Sequence, residues 1–476
     1  MAPGLFGRTN NELNKKINIM KRKTILNLLL ALSLCIYQSG MLSAQENNVQ
    51  EKVDNYIEAY MQMNQFSGTI LIAKNDQILA NKGYGYANHA FNIENTPQTK
   101  FRIASLTKGF TAVVIMQLIE NDKLNLDDKL IKFIHDFPRG DEISIEHLLT
   151  MTSGIPNHTD FDDFNIERRV FQHSILETIE IIKSKPLEFT SGTQFEYSNS
   201  NYILLGLIIE QIAGMSYAEY VKQNIFTPLE MDNSGYEEPE IIIEHMACGY
   251  RLKNDKIINA KYRDMSNAHA SGALYSTVED LYKWDRALYT EKLISNESKE
   301  LMFTPAKANY GFGWGIVDVF NHKMIAHTGE IDGFTSNISR FIDDDICIII
   351  LSNFEHTPMN RINIDLISMV FDREYTIPEV VKVIKLSESV LQEYVGKYEY
   401  SPNLIFDISC SDGKLFCQLT GQPKFELAPI SDSEFILRAV DAKILFSKNT
   451  KNEIDKLILL QGDQKIEAPK KDQNMH

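Results

Sequence analysis

Three short clusters carry the residue types that acyl-transfer chemistry needs. In Phe101-Arg102-Ile103-Ala104-Ser105-Leu106-Thr107-Lys108-Gly109 a serine precedes a lysine by three residues. In Glu196-Tyr197-Ser198-Asn199-Ser200-Asn201-Tyr202 a phenol stands beside amides, and in His327-Thr328-Gly329-Glu330 an imidazole precedes a hydroxyl and a glycine. A serine is a weak nucleophile until an adjacent base takes its proton, and a lysine amine in reach can be that base. A helix starting near Ser105 places Lys108 over the same face. Its first turn also offers unpaired N–H groups and a dipole that favours negative charge. Spacing alone does not make the case. Ser411-Asp412-Gly413-Lys414 has the same spacing, yet its Asp-Gly pair marks a hairpin turn.

The elements around these clusters follow from periodicity. Residues 112–119 are apolar apart from Gln117, which predicts a helix buried nearly all round. Upstream, Val53, Tyr56, Ile57, Tyr60 and Met61 recur at helical spacing within 49–63. Strands at 67–73 and 77–86 follow, joined as a hairpin through Lys74-Asn75-Asp76. From about 122 to 301 helical patterns dominate. Ser144 caps a short helix that Thr152-Ser153-Gly154-Ile155-Pro156 stops, Gly214 closes an apolar helix over 202–212, and Thr277 caps another. Strand character returns at 310–319, 323–327, 334–341 and 346–352, followed by a helix over 362–371. Strands from both ends flanking a helical middle predict an α/β sandwich. It is one mixed antiparallel sheet, flanked by helices and carrying a helical insertion.

Residues 377–392 read as a linker, with Ile377-Pro378-Glu379 at its start. Residues 393–468 show short strands and turns, which predicts a small C-terminal all-β barrel-like domain without a catalytic cluster. The polar, lysine-rich residues 469–476 read as a disordered tail.

The chain has 476 residues and a net charge of −16, with no basic tract beyond its N-terminus, so nucleic acid is not an expected partner. Residues 1–44 carry Met20-Lys21-Arg22-Lys23, an apolar run over 25–37 and Leu42-Ser43-Ala44. This is the pattern of a signal peptide cleaved after Ala44, which predicts a periplasmic or secreted protein with no membrane span after cleavage. A membrane anchor is the alternative reading; the run is short for one and is broken by Asn27, Gln38 and Ser39. Cys248, Cys347, Cys410 and Cys417 show no metal spacing, and no cofactor is implied. A two-residue turn at Asp412-Gly413 pairs Cys410 with Leu415 rather than Cys417, against a bridge there. Oligomeric state is left open.

In order and setting, the three clusters resemble the serine β-lactamase and penicillin-binding protein superfamily, nearest its class C β-lactamase and D-alanyl-D-alanine carboxypeptidase branch. Gly83-Tyr84-Gly85-Tyr86-Ala87-Asn88, His147-Leu148-Leu149-Thr150-Met151-Thr152-Ser153-Gly154 and Ala270-Ser271-Gly272-Ala273-Leu274-Tyr275-Ser276-Thr277 are similar to the same branch, so the resemblance spans about 46–375. It places the hydrolase domain at 45–376. It implies Ser105 as acylated nucleophile, Lys108 as its amine partner and Tyr197 as proton-transfer group. Asn199 would orient substrate, and His327, Thr328 and Gly329 would line it. The oxyanion hole would be the backbone N–H of Ser105 and Glu330. A phenol needs nearby cations to act as base at neutral pH, and Lys108 and His327 are the candidates. Histidine at 327, where β-lactamases of the branch carry lysine, resembles the peptidase and esterase members. The implied substrate is a D-Ala-D-Ala type peptide or a related amide or ester; a β-lactam is the alternative, and a penicillin-binding sensor without turnover the non-enzymatic one. Tyr86, His147 and Tyr202 read as structural, Asn201 as a cap, and Phe312 and Trp314 as either site lining or packing.

Overall fold

The computed structural model describes residues 49–164, 169–253, 256–380, 383–437, 442–461 and 464–471. The signal-peptide reading therefore lies outside the described residues, as does most of the 469–476 tail. The chain divides into two compact units between Pro378 and Glu379.

The first unit is built on a six-stranded sheet. A helix over 49–62 (α1) leads into β1 (Gly68–Lys74) and β2 (Gln77–Tyr84). Asn75 and Asp76, at φ 52° and 58°, make the tight turn between them. The other strands come from the far end: β3 (Gly315–Val319), β4 (His322–Ile331), β5 (Phe334–Phe341) and β6 (Ile346–Ser352). Their order is β3-β4-β5-β6-β1-β2, with every neighbouring pair antiparallel.

The central strands are apolar on both faces because both faces are covered. Ile70, Ile72, Ile348 and Ile350 pack with Val53, Tyr56, Ile362 and Leu366, so α1 and the helix Met359–Val370 cover one side. Leu71, Ile349 and Leu351 face the other core, which holds the helical middle of the chain. That middle includes α2 (Thr107–Glu120), α3 (Ile145–Leu149) and α4 (Asn199–Ala213). α2 buries residues on every side, as a helix threaded between layers must. The sandwich with a helical insertion is the architecture expected.

The second unit is an eight-stranded antiparallel meander in which each strand pairs with the next in sequence. Its first strand, Gly396–Ser401, meets the end of its last, Gln464–Pro469, through a Tyr398–Lys470 bridge, giving a nearly closed barrel-like sheet. Two features differ from expectation. The helix Glu388–Tyr394 begins inside the segment read as linker, because Leu391 and Tyr394 fill the barrel core. Residues 469–471, read as tail, extend the last strand, and Lys471 N–H donates to Lys397 O. Among the described residues the cysteines are free, and Cys410 does pair with Leu415.

Candidate active site

The turn that carries Ser105 is held in a strained conformation. Ala104 has φ 47°, where a β-carbon crowds the backbone, and the 3-10 turn Ala104–Leu106 then runs into α2. Three contacts fix this turn. Ser336 Oγ donates to Ile103 O at 2.8 Å, and Thr107 Oγ1 accepts from Leu274 N at 3.3 Å. β4 lies so close that a β-carbon at Gly329 would stand 2.5 Å from Ile103 O, so glycine is required there. On the other side Trp314 packs flat on Gly109, where a β-carbon would meet the indole at 2.9 Å. Trp314 and Phe312 are packing residues, both buried.

Lys108 lies on the first turn of α2 with 0% exposure. Its Nζ is 3.0 Å from Ser105 Oγ, 2.8 Å from Asn199 Oδ1 and 2.8 Å from the carbonyl oxygen of Ser271. None of these partners carries a charge. Burial therefore holds its pKa well below the usual lysine range. A neutral amine suits the three contacts. Nζ is placed to donate to all three oxygens, and once the amine is neutral its two N–H groups can stay on the carbonyl oxygens while the lone pair meets the Ser105 hydroxyl.

Tyr197 lies in the loop ahead of α4, and its O–H donates to Ser105 Oγ at 3.0 Å. Burial raises its pKa, with the Ser105 hydrogen bond pulling weakly the other way. No neighbouring cation lowers it, and burial pushes the pKa values of both Lys108 and His327 down. Desolvation within the cluster pushes the pKa of the part-exposed His327 down to about 3, against the Thr328 carbonyl. Its Nδ1 lies 2.6 Å from Thr328 O, which can only accept, so Nδ1 carries the proton. Nε2 is then free to accept from the Tyr310 hydroxyl at 3.2 Å.

Thr328 and Gly329 continue β4 past Ala326, the last residue that β3 pairs. Beyond it one edge of β4 is open. The Thr328 carbonyl faces that edge, since His327 and not a strand takes it. Glu330, two residues on, has the same backbone orientation. The structure thus brings Ser105, Lys108, Tyr197, Asn199 and His327 into one cluster, with Thr328, Gly329 and Glu330 along its wall. Asn199 is more occupied than expected. Its Oδ1 takes Lys108, and one N–H of its amide goes to Asn157 Oδ1 at 3.3 Å, so among the described residues only its second N–H stays open.

Other readings sort cleanly. His147 completes a capping box with Ser144 at α3, and Tyr202 donates to Leu149 O at 3.0 Å. Tyr86 belongs to a short strand, Tyr86–Asn88. Asn201 is not a cap: α4 begins earlier, at Asn199, and Asn201 Oδ1 is buried, accepting from Ser153 Oγ at 2.6 Å. Sequence reasoning missed Ser271, Asn157 and Tyr310. Ser271 acts through a backbone carbonyl, which leaves no side-chain signal. Asn157 lies in a loop whose proximity to α4 only the fold reveals. Among the described residues, no three His, Cys, Asp or Glu are grouped to hold a metal ion, and no helix is long and apolar enough to cross a membrane.

Comparison with known proteins gives a consistent result. A family model described as Beta-lactamase matches residues 53–368, and one described as a domain of unknown function (DUF3471) matches residues 382–474. A penicillin-binding protein of Bacillus subtilis (strain 168) is 29% identical over 432 residues, covering 84% of this chain and 94% of that protein. The PbpX protein of the same strain is 32% identical over 292 residues, 60% of this chain and 71% of its own length. Among solved structures, the octameric penicillin-binding protein homologue from Pyrococcus abyssi superposes with a TM-score of 0.64 at 26% identity, covering 88% of this chain and 99% of that one.

Proposed function

We propose a reaction for a chain that belongs to the serine β-lactamase and penicillin-binding protein family of hydrolases: hydrolysis of a small amide or ester through an acyl-enzyme on Ser105. The observation that carries this reading is that one hydroxyl, Ser105 Oγ, lies 3.0 Å from both a buried amine and a half-buried phenol. In the proposed sequence Lys108 takes the Ser105 proton as Oγ attacks the substrate carbonyl. The Ser105 and Glu330 N–H groups stabilise the oxyanion. Tyr197, bonded to the same oxygen, passes a proton to the leaving group as its bond to the carbonyl breaks. Water then attacks the acyl-enzyme and gives its proton to the Tyr197 phenolate, and Ser105 leaves with the proton that Lys108 has held, which restores both groups.

The substrate class we propose is a D-Ala-D-Ala type peptide or a related amide or ester, reached in the periplasm or outside the cell. The neutral His327 supports a second reading, a carboxylesterase acting on uncharged esters. A protonated histidine would attract a substrate carboxylate, whereas a neutral one does not. Steady-state turnover of a p-nitrophenyl ester, a D-Ala-D-Ala peptide and a chromogenic cephalosporin tests both. Turnover of the peptide supports the first reading, ester turnover alone supports the second, and a burst without turnover supports a sensor. In a pH series His327 should add no inflection between about pH 5 and 9, on either an anionic or a neutral substrate. N-terminal sequencing of exported protein should begin at Gln45; an intact N-terminus would contradict export by cleavage.

A further inference from the structure

We propose that Asn157 and Asp160 are positioning residues that fix which end of the Asn199 amide faces Lys108. The proposal rests on the acyl-enzyme reading of Ser105. An asparagine amide has a donor end and an acceptor end of nearly the same shape, so something must decide its orientation. Asn199 must present oxygen to Lys108. If it presented its NH2 group, two N–H donors would oppose each other, and the lysine lone pair would turn to Asn199 instead of to Ser105.

The deciding contacts form a line with one polarity. Asp160 is at the outer end and, as a carboxylate, can only accept; Asn157 Nδ2 donates to its Oδ2 at 2.9 Å. The donor end of Asn157 is thereby fixed outward and its oxygen inward. That oxygen accepts from Asn199 N at 3.0 Å and from Asn199 Nδ2 at 3.3 Å. The Asn199 Nδ2 is thus held away from the nucleophile, and its Oδ1 meets Lys108 Nζ at 2.8 Å. An acceptor-only group at one end and a donor at the other leave a single consistent arrangement between them.

A second observation shows why the contact comes from a distant loop. Asn199 is the first residue of α4, and its N–H is one of the four that a helix start leaves unpaired. Ser198, at the N-cap, makes no side-chain cap bond. Asn157 supplies that bond, and with the same oxygen it orients the side chain. It therefore couples the start of α4 to the amine that activates Ser105, without touching substrate.

Both roles are separable by experiment on the full chain. The readouts are the rate at which a fluorophosphonate labels Ser105, kcat and KM on the best ester, and the melting temperature. Asn157→Leu keeps the size but removes the acceptor. It should slow labelling and kcat by about 100-fold, the scale of a misplaced catalytic group, with KM changing little. Asn157→Asp keeps the inward acceptor but sets two carboxylates against each other, and a loss of about 10-fold is expected. Adding Asp160→Asn supplies a donor at the outer end again, and N157D/D160N should recover to within about three-fold of wild type. A merely space-filling asparagine would show no such recovery.

An Asn157→Leu variant that labels within about three-fold of wild type would overturn the relay. So would a folded N157D/D160N no faster than N157D. If Asn157→Leu does not fold, that second comparison carries the test. Wild-type protein that does not take the probe at Ser105 counts against the acyl-enzyme reading and the relay together. Normal labelling with an indifferent residue 157 counts against the relay alone.

Discussion

The chain contains two Ser-x-x-Lys tetrads that differ in almost every physical respect. Ser105 and Lys108 lie at a helix start, with the lysine fully buried and its amine 3.0 Å from the hydroxyl. Ser411 and Lys414 face each other across a two-residue hairpin turn, Asp412 and Gly413 at φ 51° and 69°. Lys414 Nζ donates to Glu426 Oε2 at 2.7 Å, both side chains partly in water, and Ser411 Oγ donates to Asp412 Oδ2 at 3.3 Å. Burial among carbonyl oxygens holds the Lys108 pKa well below the usual lysine range. The tetrad supplies the same atoms in both places, and only the first lysine is taken out of water.

The largest expected effect sharpens this contrast directly. Ser105→Ala should abolish adduct formation and lower kcat by about four to six decades, the loss seen when an acylating serine is removed. Ser411→Ala should leave both unchanged. Mass spectrometry after fluorophosphonate or penicillin treatment locates the adduct, and labelling that survives Ser105→Ala would break the comparison. Next come the proton-transfer groups. Lys108→Ala and Tyr197→Phe should each cost about two to four decades of turnover. The double variant should lose far less than the product, because both act on one oxygen. Fully multiplicative losses would show two independent devices.

A smaller effect separates the two units by pH. His158, whose N–H donates to Ser200 Oγ at the start of α4, is fully buried, and burial lowers its pKa to about 3. The unfolded chain binds this proton near pH 6.5, so the group's stability contribution is intact above that pH and is lost as pH falls. By pH 5 the loss amounts to about 2 kcal/mol from this residue. No histidine occupies the described residues of the second unit. Calorimetry at pH 7 and pH 5 should show the first unit's transition moving down more than the second's; equal shifts would count against the burial argument. The smallest effect belongs to Lys414. Its ion pair is 34% and 40% exposed, so Lys414→Ala should change stability by less than about 1 kcal/mol and activity not at all. A measurable loss of turnover would undo the distinction between the two tetrads.

How much of this was legible in the sequence follows the same division between pattern and environment. The strand at 346–352 matches β6, because a run of β-branched residues has no helical alternative of that length. The strand at 334–341 matches β5, and the caps at Ser144 and Thr277 are present. The start of α4 was hidden, since Asn199-Ser200-Asn201 have weak helix propensity and take their conformation from buried contacts. β4 runs on to Ile331, past the expected 327, because Gly329 masks strand character while the fold needs the close approach. β3 begins late, at Gly315, after Gly313 turns the chain at φ 79°. The site clusters were readable as residue types. Their protonation was not, because burial is a property of the assembled core. That is why His327, a candidate cation beside Tyr197, turns out a neutral imidazole, and the phenol is raised.

The near-closure of the second unit has a kinetic consequence. Each of its ladders joins strands adjacent in sequence, so each closes a short loop and can form early. The seam between Tyr398 and Lys470 is different, since its partners come from opposite ends of the meander and share one bridge, the Lys471–Lys397 backbone bond and side-chain contacts such as the Lys471–Glu399 ion pair. Such a seam zips last and is the first place to part, so its amides should exchange with solvent ahead of those in the barrel wall. A momentary opening there bares two strand edges at once, and the risk of pairing with another chain is concentrated along that one line.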